Sequence, residues 1–167
     1  MWYSFNVQPR KCILIAEDNE ADVLTLRRAF KQLGFDGVLK VVESGADAIA
    51  YLSGDGVFAD RAQYPFPDLL LLDLKMPGTD GFEVLQWLRE QDDAARGLLR
   101  TVVLTTSDEM RDVNRAYQLG ANSFLTKPVE FADFKNAIEA VMRFWLALSL
   151  APKTGVPRSV GQIRVPS

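Results

Sequence analysis

Residues 69–85 read LLLLDLKMPGTDGFEVL. Four consecutive leucines with no polar alternation predict a strand buried on both faces, the kind that sits in a parallel sheet with helices packed on either side. Asp73 follows the last leucine, which puts its carboxylate at the C-terminal end of that strand. Met76-Pro77-Gly78 reads as a turn that shapes the loop after Asp73 rather than as a plain turn, and an amphipathic helix is predicted over 81–91. Working outward, the same alternation of apolar run and amphipathic stretch recurs on both sides. Toward the N-terminus, strands are predicted over 12–16 and 38–42, a helix over 21–33 through Val23, Leu26, Ala29, Phe30 and Leu33 with Gly34 at its end, and a short helix over 46–52. Residues 54–67, with their glycines and prolines, read as an extended loop. Toward the C-terminus, a polar connection over 92–99 precedes a strand over 101–105, a helix over 109–119 ended by Gly120, a strand over 123–126, and a long helix from about 130 to 150 before Pro152. Five β/α units of this kind predict an α/β fold.

The chain has 167 residues, 48% hydrophobic and 25% charged, which suits one globular domain with an arm. A net charge of −3 argues against a nucleic-acid binder that relies on many phosphate contacts. The opening MWYSFNVQPRK lacks the basic start and long apolar run of a signal peptide, and no stretch offers 18 uninterrupted apolar residues, so a soluble cytoplasmic protein without membrane contact is expected. The single cysteine, Cys12, lies in an apolar strand and reads as a buried thiol. There is no histidine, which removes imidazole bases, histidine-based zinc sites and any phosphohistidine of its own.

Carboxylates, hydroxyls and lysines must therefore carry the chemistry. Glu17-Asp18, Asp73, Thr105-Thr106-Ser107 and Thr126-Lys127-Pro128 all end predicted strands. Each alone reads more readily as a helix cap or a solvated side chain. In a parallel sheet, however, the C-terminal ends share one edge, where ligands bind at the point of strand-order reversal. Carboxylates gathered there repel by about 4 kcal/mol per pair at about 4 Å and an effective dielectric near 20, so a cation is needed. Oxygen ligands without His or Cys suit a hard ion such as Mg²⁺, which keeps water positions for phosphate oxygens. Lys127 and a threonine hydroxyl supply further contacts to such a group, and Asp73 is the candidate nucleophile for an aspartyl phosphate.

Glu17-Asp18, the stretch around Asp73, VVLTTS after the fourth strand and FLTKP ending at Pro128 together resemble the receiver domain of two-component response regulators. The resemblance covers roughly residues 11–150, leaving a segment 1–10 and a loop-like tail 151–167. It implies a flavodoxin-like, doubly wound five-stranded parallel sheet in the order 2-1-3-4-5 with helices on both faces. It also implies that Asp73 accepts a phosphoryl group from the phosphohistidine of a sensor histidine kinase. Asp18 would bind Mg²⁺ directly, Glu17 through water, Asp73 as the acceptor and Lys75 through its main-chain carbonyl. Lys127 would pair with the phosphoryl oxygens, Thr105 would swing toward them, and Phe124 would follow, although a lone strand aromatic also reads as core. A cis peptide between Lys127 and Pro128 is implied as well. The insertion at 53–67, LTTS and RFWLALSLAP look like the small regulators that serve bacterial phytochromes, which makes a bacteriophytochrome kinase the expected partner.

After Pro128 only 39 residues remain, so no DNA-binding domain is expected and output should run through protein contacts. On the last helix Phe134, Ile138, Val141, Trp145 and Leu148 form one apolar face, and Met142, Leu146 and Leu150 a second, read here as a homodimer interface. Residues 1–139 hold 15 basic and 22 acidic side chains, whereas residues 140–167 hold four basic and none acidic. The basic tail could rest on an acidic surface or remain a solvated arm. The competing expectation is a receiver-like adaptor that never uses phosphate. A small Mg²⁺ phosphatase is disfavoured because Lys75 stands where such enzymes place a second carboxylate, two residues after the nucleophile.

Overall fold

The apolar runs form five parallel strands, β1 (Cys12–Ala16), β2 (Val38–Val42), β3 (Leu69–Leu72), β4 (Arg100–Thr105) and β5 (Ser123–Thr126). They lie in the order β2-β1-β3-β4-β5, as expected. The computed structural model describes residues 10–92 and 98–148. Among the described residues five α-helices accompany the strands: α1 (Glu20–Gln32), α2 (Gly45–Ser53), α3 (Gly81–Glu90), α4 (Met110–Gln118) and α5 (Phe131–Val141).

Because side chains alternate across a strand, the central strands feed two cores. Leu14, Ala16, Leu70, Leu72 and Val103 pack with Ala48, Leu52, Val84 and Leu85 under α2 and α3. Ile13, Ile15, Leu69, Leu71, Val102 and Leu104 pack with Leu26, Phe30, Phe134 and Ile138 under α1 and α5. That double burial explains why strands without polar alternation are stable here. Cys12 is buried at the start of β1, and burial pushes its thiol pKa up.

Local chemistry sets the helix starts. Asn19 caps α1 by accepting from Asp22 N, Ser44 caps α2 by accepting from Asp47 N, and Asp80 forms a reciprocal capping box with Glu83 at α3. The insertion at 54–67 contains one short 3-10 turn, Gly56–Phe58. Arg61 fastens it to the end of α2: its guanidinium donates to Tyr51 O at 2.7 Å and Leu52 O at 2.9 Å, carbonyls of the last turn.

Two glycines allow the loop after β3 to pack closely. Gly45 N donates to Thr79 O, and a Cβ at Gly45 would lie 2.2 Å from that oxygen. A Cβ at Gly81 would lie 2.3 Å from Asp73 O. The acceptor loop is therefore held between two backbones.

Two expectations are corrected. The last helix does not run as one α-helix: after Val141 it continues as a π-helix over Met142–Leu148. The wider i→i+5 winding turns each residue by less than an α-helix does. Met142 and Leu146 are consequently half-buried against the α1–α5 core, along with Trp145, instead of forming a free second stripe. Phe144 is left exposed. The Lys127–Pro128 peptide is trans, not cis, and no cis bond occurs among the described residues. Trans is the lower-energy form of an X–Pro bond by about 0.5–1 kcal/mol, and with it Lys127 N still donates to Thr105 O at 2.7 Å and Nζ still reaches the carboxylates described below. Residues 1–9, Leu150 and the tail 151–167 lie outside the described residues.

Candidate functional site

Strand register assembles the site. Ala16 pairs with Leu72, so Glu17 and Asp73 leave β1 and β3 side by side where the strand order reverses. Thr105 pairs with Thr126, which delivers Lys127 to the same edge from the outer strand. Glu17, Asp73, Thr105 and Ser107 are all buried, while Asp18 is exposed.

Lys127 is the hub. Its Nζ donates to Glu17 Oε2 at 2.5 Å, Asp22 Oδ2 at 2.7 Å and Asp73 Oδ2 at 3.2 Å. The other oxygens of the two buried acids have main-chain partners: Asn19 N donates to Glu17 Oε1 at 3.0 Å and Lys75 N to Asp73 Oδ1 at 3.2 Å. Burial pushes the Glu17 carboxyl up to about 7, against the lowering effect of its bonds from Lys127 and Asn19. Burial alone would lower Lys127, but its bonds to Asp22 and Glu17 and the charge of Asp73 raise it above the usual lysine range. The ammonium thus stays charged.

Glu17, Asp18 and Asp73 each offer an oxygen, and these atoms lie within 4.8 Å of one another. Glu17, Asp22 and Asp73 share one ammonium, with Asp18 beside them, and the ligand atoms are all hard oxygens. This arrangement fits a divalent cation of the Mg²⁺ or Mn²⁺ type, which would offset the residual charge.

The remaining expected residues occupy distinct places. Thr105 Oγ1 lies within 3.4 Å of Ser107 N, which donates to it, while Ser107 Oγ donates to Asp112 Oδ2 at 2.7 Å. The threonine hydroxyl thus engages its own loop. Lys75 points into solvent beside the acceptor. Phe124 is half-buried against the α2–α3 core, and its N donates to the Tyr117 hydroxyl at 3.1 Å, which ties β5 to α4. Asp22 is a site residue that the sequence pattern does not single out, because an acid in the first turn of a helix looks like an ordinary dipole partner. Its spacing, one helical turn beyond Asp18 in EDNEAD, was the available signal.

A family model for the response regulator receiver domain matches residues 13–139. The chain is 36% identical over 140 residues to the probable methanogenesis regulatory protein FilR2 of Methanothrix harundinacea, covering 84% of this chain and 86% of that one. It is 35% identical over 144 residues to response regulator Rcp1 of Synechocystis sp., covering 86% and 95%. The crystal structure of Rcp1 in its Mn²⁺-bound form superposes with a TM-score of 0.74 at 34% identity over 85% of this chain and 99% of that one. That of the phosphorylated cyanobacterial phytochrome response regulator RcpA superposes with a TM-score of 0.77 at 31% identity, over 86% and 99%. No helix among the described residues is long and apolar enough to cross a membrane.

Proposed function

The chain belongs to the response regulator receiver family, and from that premise we propose that it is a cytoplasmic regulator whose phosphoacceptor is Asp73, phosphorylated by a sensor histidine kinase in a Mg²⁺-dependent reaction. One observation carries the reading: Asp73 is a buried carboxylate inside a cluster of oxygen donors, hydrogen-bonded to a buried ammonium. A side-chain oxygen of Asp73 attacks the phosphorus of the kinase's phosphohistidine in line. The O–P bond forms as the P–N bond breaks, and the imidazole leaves with the electron pair. Glu17, Asp18, Asp73 and the Lys75 carbonyl are the groups to hold Mg²⁺. When bound, the ion offsets charge on the transferring oxygens.

Lys127, already 3.2 Å from Asp73, turns a proton to a phosphoryl oxygen. Thr105 gives up its contact with Ser107 N and donates its own hydroxyl proton to another. Both residues are joined through the Lys127 N to Thr105 O bond, so their movement is shared by β4 and β5. Phe124 and the surface of α4, β5 and α5 then shift population, which signals to a protein partner. Incubation with acetyl phosphate and Mg²⁺ should add one phosphoryl group per chain by mass spectrometry. Equal labelling of Asp73→Asn overturns the assignment.

The finer reading of the partner is a bacteriophytochrome kinase, supported by the likeness to the phytochrome response regulator RcpA. Phosphotransfer from a phosphorylated kinase of that class should be faster than from an unrelated sensor kinase; equal rates remove the partner from the reading. A homodimer also belongs to it, and light scattering with and without a phosphoryl analogue checks this. A strict monomer in both conditions removes it.

A further inference from the structure

Asp22 is the one carboxylate on Lys127 that stands outside the oxygen cluster of Glu17, Asp18 and Asp73. It sits in the first turn of α1, where its N donates to the capping Asn19 Oδ1 at 3.0 Å. That cap fixes the backbone and leaves the carboxylate free to turn toward Lys127, 2.7 Å away.

An ammonium has three protons, and in this structure Glu17, Asp22 and Asp73 take all of them. A phosphoryl group on Asp73 requires at least one. The proton now on Asp73 can pass to a neighbouring phosphoryl oxygen with little movement of Nζ. A second phosphoryl contact must come from Glu17 or Asp22. Glu17 has 2% exposure, so bulk water cannot replace the Lys127 proton on its Oε2; a bound Mg²⁺ would offset part of its charge, but that oxygen would still lose its direct donor, which is costly. Asp22 has 37% side-chain exposure, so water takes over its lone pairs. The Asp22 bond is therefore the one that yields.

From this we infer that Asp22 is a positioning residue that holds Lys127 in the resting state and competes with the phosphoryl group for its third proton. The inference rests on the phosphoacceptor reading of Asp73. It makes Asp22 a brake: the tighter its bond to Lys127, the smaller the share of molecules in the phosphorylated arrangement.

Beryllofluoride with Mg²⁺, a stand-in for the phosphoryl group on a carboxylate, provides the test by fluorescence or calorimetric titration. Asp22→Asn and Asp22→Ala should bind it about fivefold tighter than the unaltered protein, the upper range for a partly exposed ion pair. Asp22→Glu, which keeps the charge, should return toward the original affinity. Glu20→Gln removes the same charge from the same exposed turn without touching Lys127 and should shift binding less than twofold. Unchanged or weaker binding in both Asp22 variants overturns the brake, as does an equal gain in Glu20→Gln, which would mark a general field effect. If the unaltered protein binds no beryllofluoride, the phosphoacceptor reading fails and the brake with it; binding that ignores Asp22 sinks the brake alone.

Discussion

Asp68 and Asp73 bracket the same strand, β3, and each meets a lysine at 3.2 Å. At the N-terminal edge of the sheet Lys11 and Asp68 have side-chain exposures of 52% and 38%; at the C-terminal edge Lys127 and Asp73 have 7% and 8%. Contact distance is the same and the consequences are opposite. Water screens the first pair, which acts as a surface clasp, helped by Cys12 N donating to Asp68 Oδ2 at 2.8 Å. The second pair has lost its water, so each group depends on its neighbours: Lys127 on three carboxylates, and those on Lys127. A function that adds charge can be read out only where charge is already tightly balanced. The clasp at Asp68 has nothing comparable to report.

Removing the two lysines is the sharpest way to break this comparison. Lys127→Ala strips the buried acids of their counter-ion and should cost about 3–5 kcal/mol in metal-free protein, measured by urea unfolding at neutral pH. A loss below about 1 kcal/mol would mean that the buried pair behaves like the exposed one. A smaller effect concerns protons at the same edge. With Glu17 raised to about 7, protons compete for its oxygens below that pH, so apparent Mg²⁺ affinity should fall roughly eightfold between about pH 7.5 and 6. Calorimetric titration checks this, and a flat profile would place Glu17 outside the metal site. The sign for stability is the reverse of the usual carboxylate case. Folded metal-free protein holds a proton on Glu17 that the unfolded chain has released, so this group's contribution is present below about pH 4.5 and is lost as pH rises through about 7. Smallest of all, Lys11→Ala should cost less than about 1 kcal/mol and leave Mg²⁺ binding unchanged; a larger loss would show that the clasp is more than a surface pair.

The same contrast governs what could be read from the chain. The strands over 12–16, 38–42, 69–72 and 123–126 were legible residue for residue: the central pair, CILIA and LLLL, because a sheet covered on both faces demands unbroken apolar runs with abrupt polar ends, and the outer pair from shorter apolar stretches bounded by polar residues. The site's members were legible for the same reason: Glu17 and Asp73 are the first polar residues beyond such runs, and Lys127 follows the last residue of β5. Helix starts moved by one residue where caps decide them, as at Asn19 and Ser44. Three features were not legible. Asp22 carries an interaction across more than a hundred residues, and its spacing in EDNEAD marks a shared face without naming the partner. The π-winding after Val141 changes which side chains face inward without changing the apolar composition. The trans Lys127–Pro128 bond departs from the cis form that the resemblance implies, and neither isomer has a local sequence signal.

The glycine contacts around the acceptor loop have a consequence for how such a site can diversify. Because Gly45 and Gly81 let main chain lie against main chain, the location of Asp73 is set by atoms that every residue shares. Lys75, two positions on, projects into solvent and contributes only its amide to the acceptor. Its side chain can be exchanged without displacing the nucleophile. Address and character are thus encoded separately: glycines whose Cβ would strike main chain write the first, and an exposed neighbour held only by its backbone writes the second. Lineages could retune the surroundings of the acceptor many times over while its coordinates stay put.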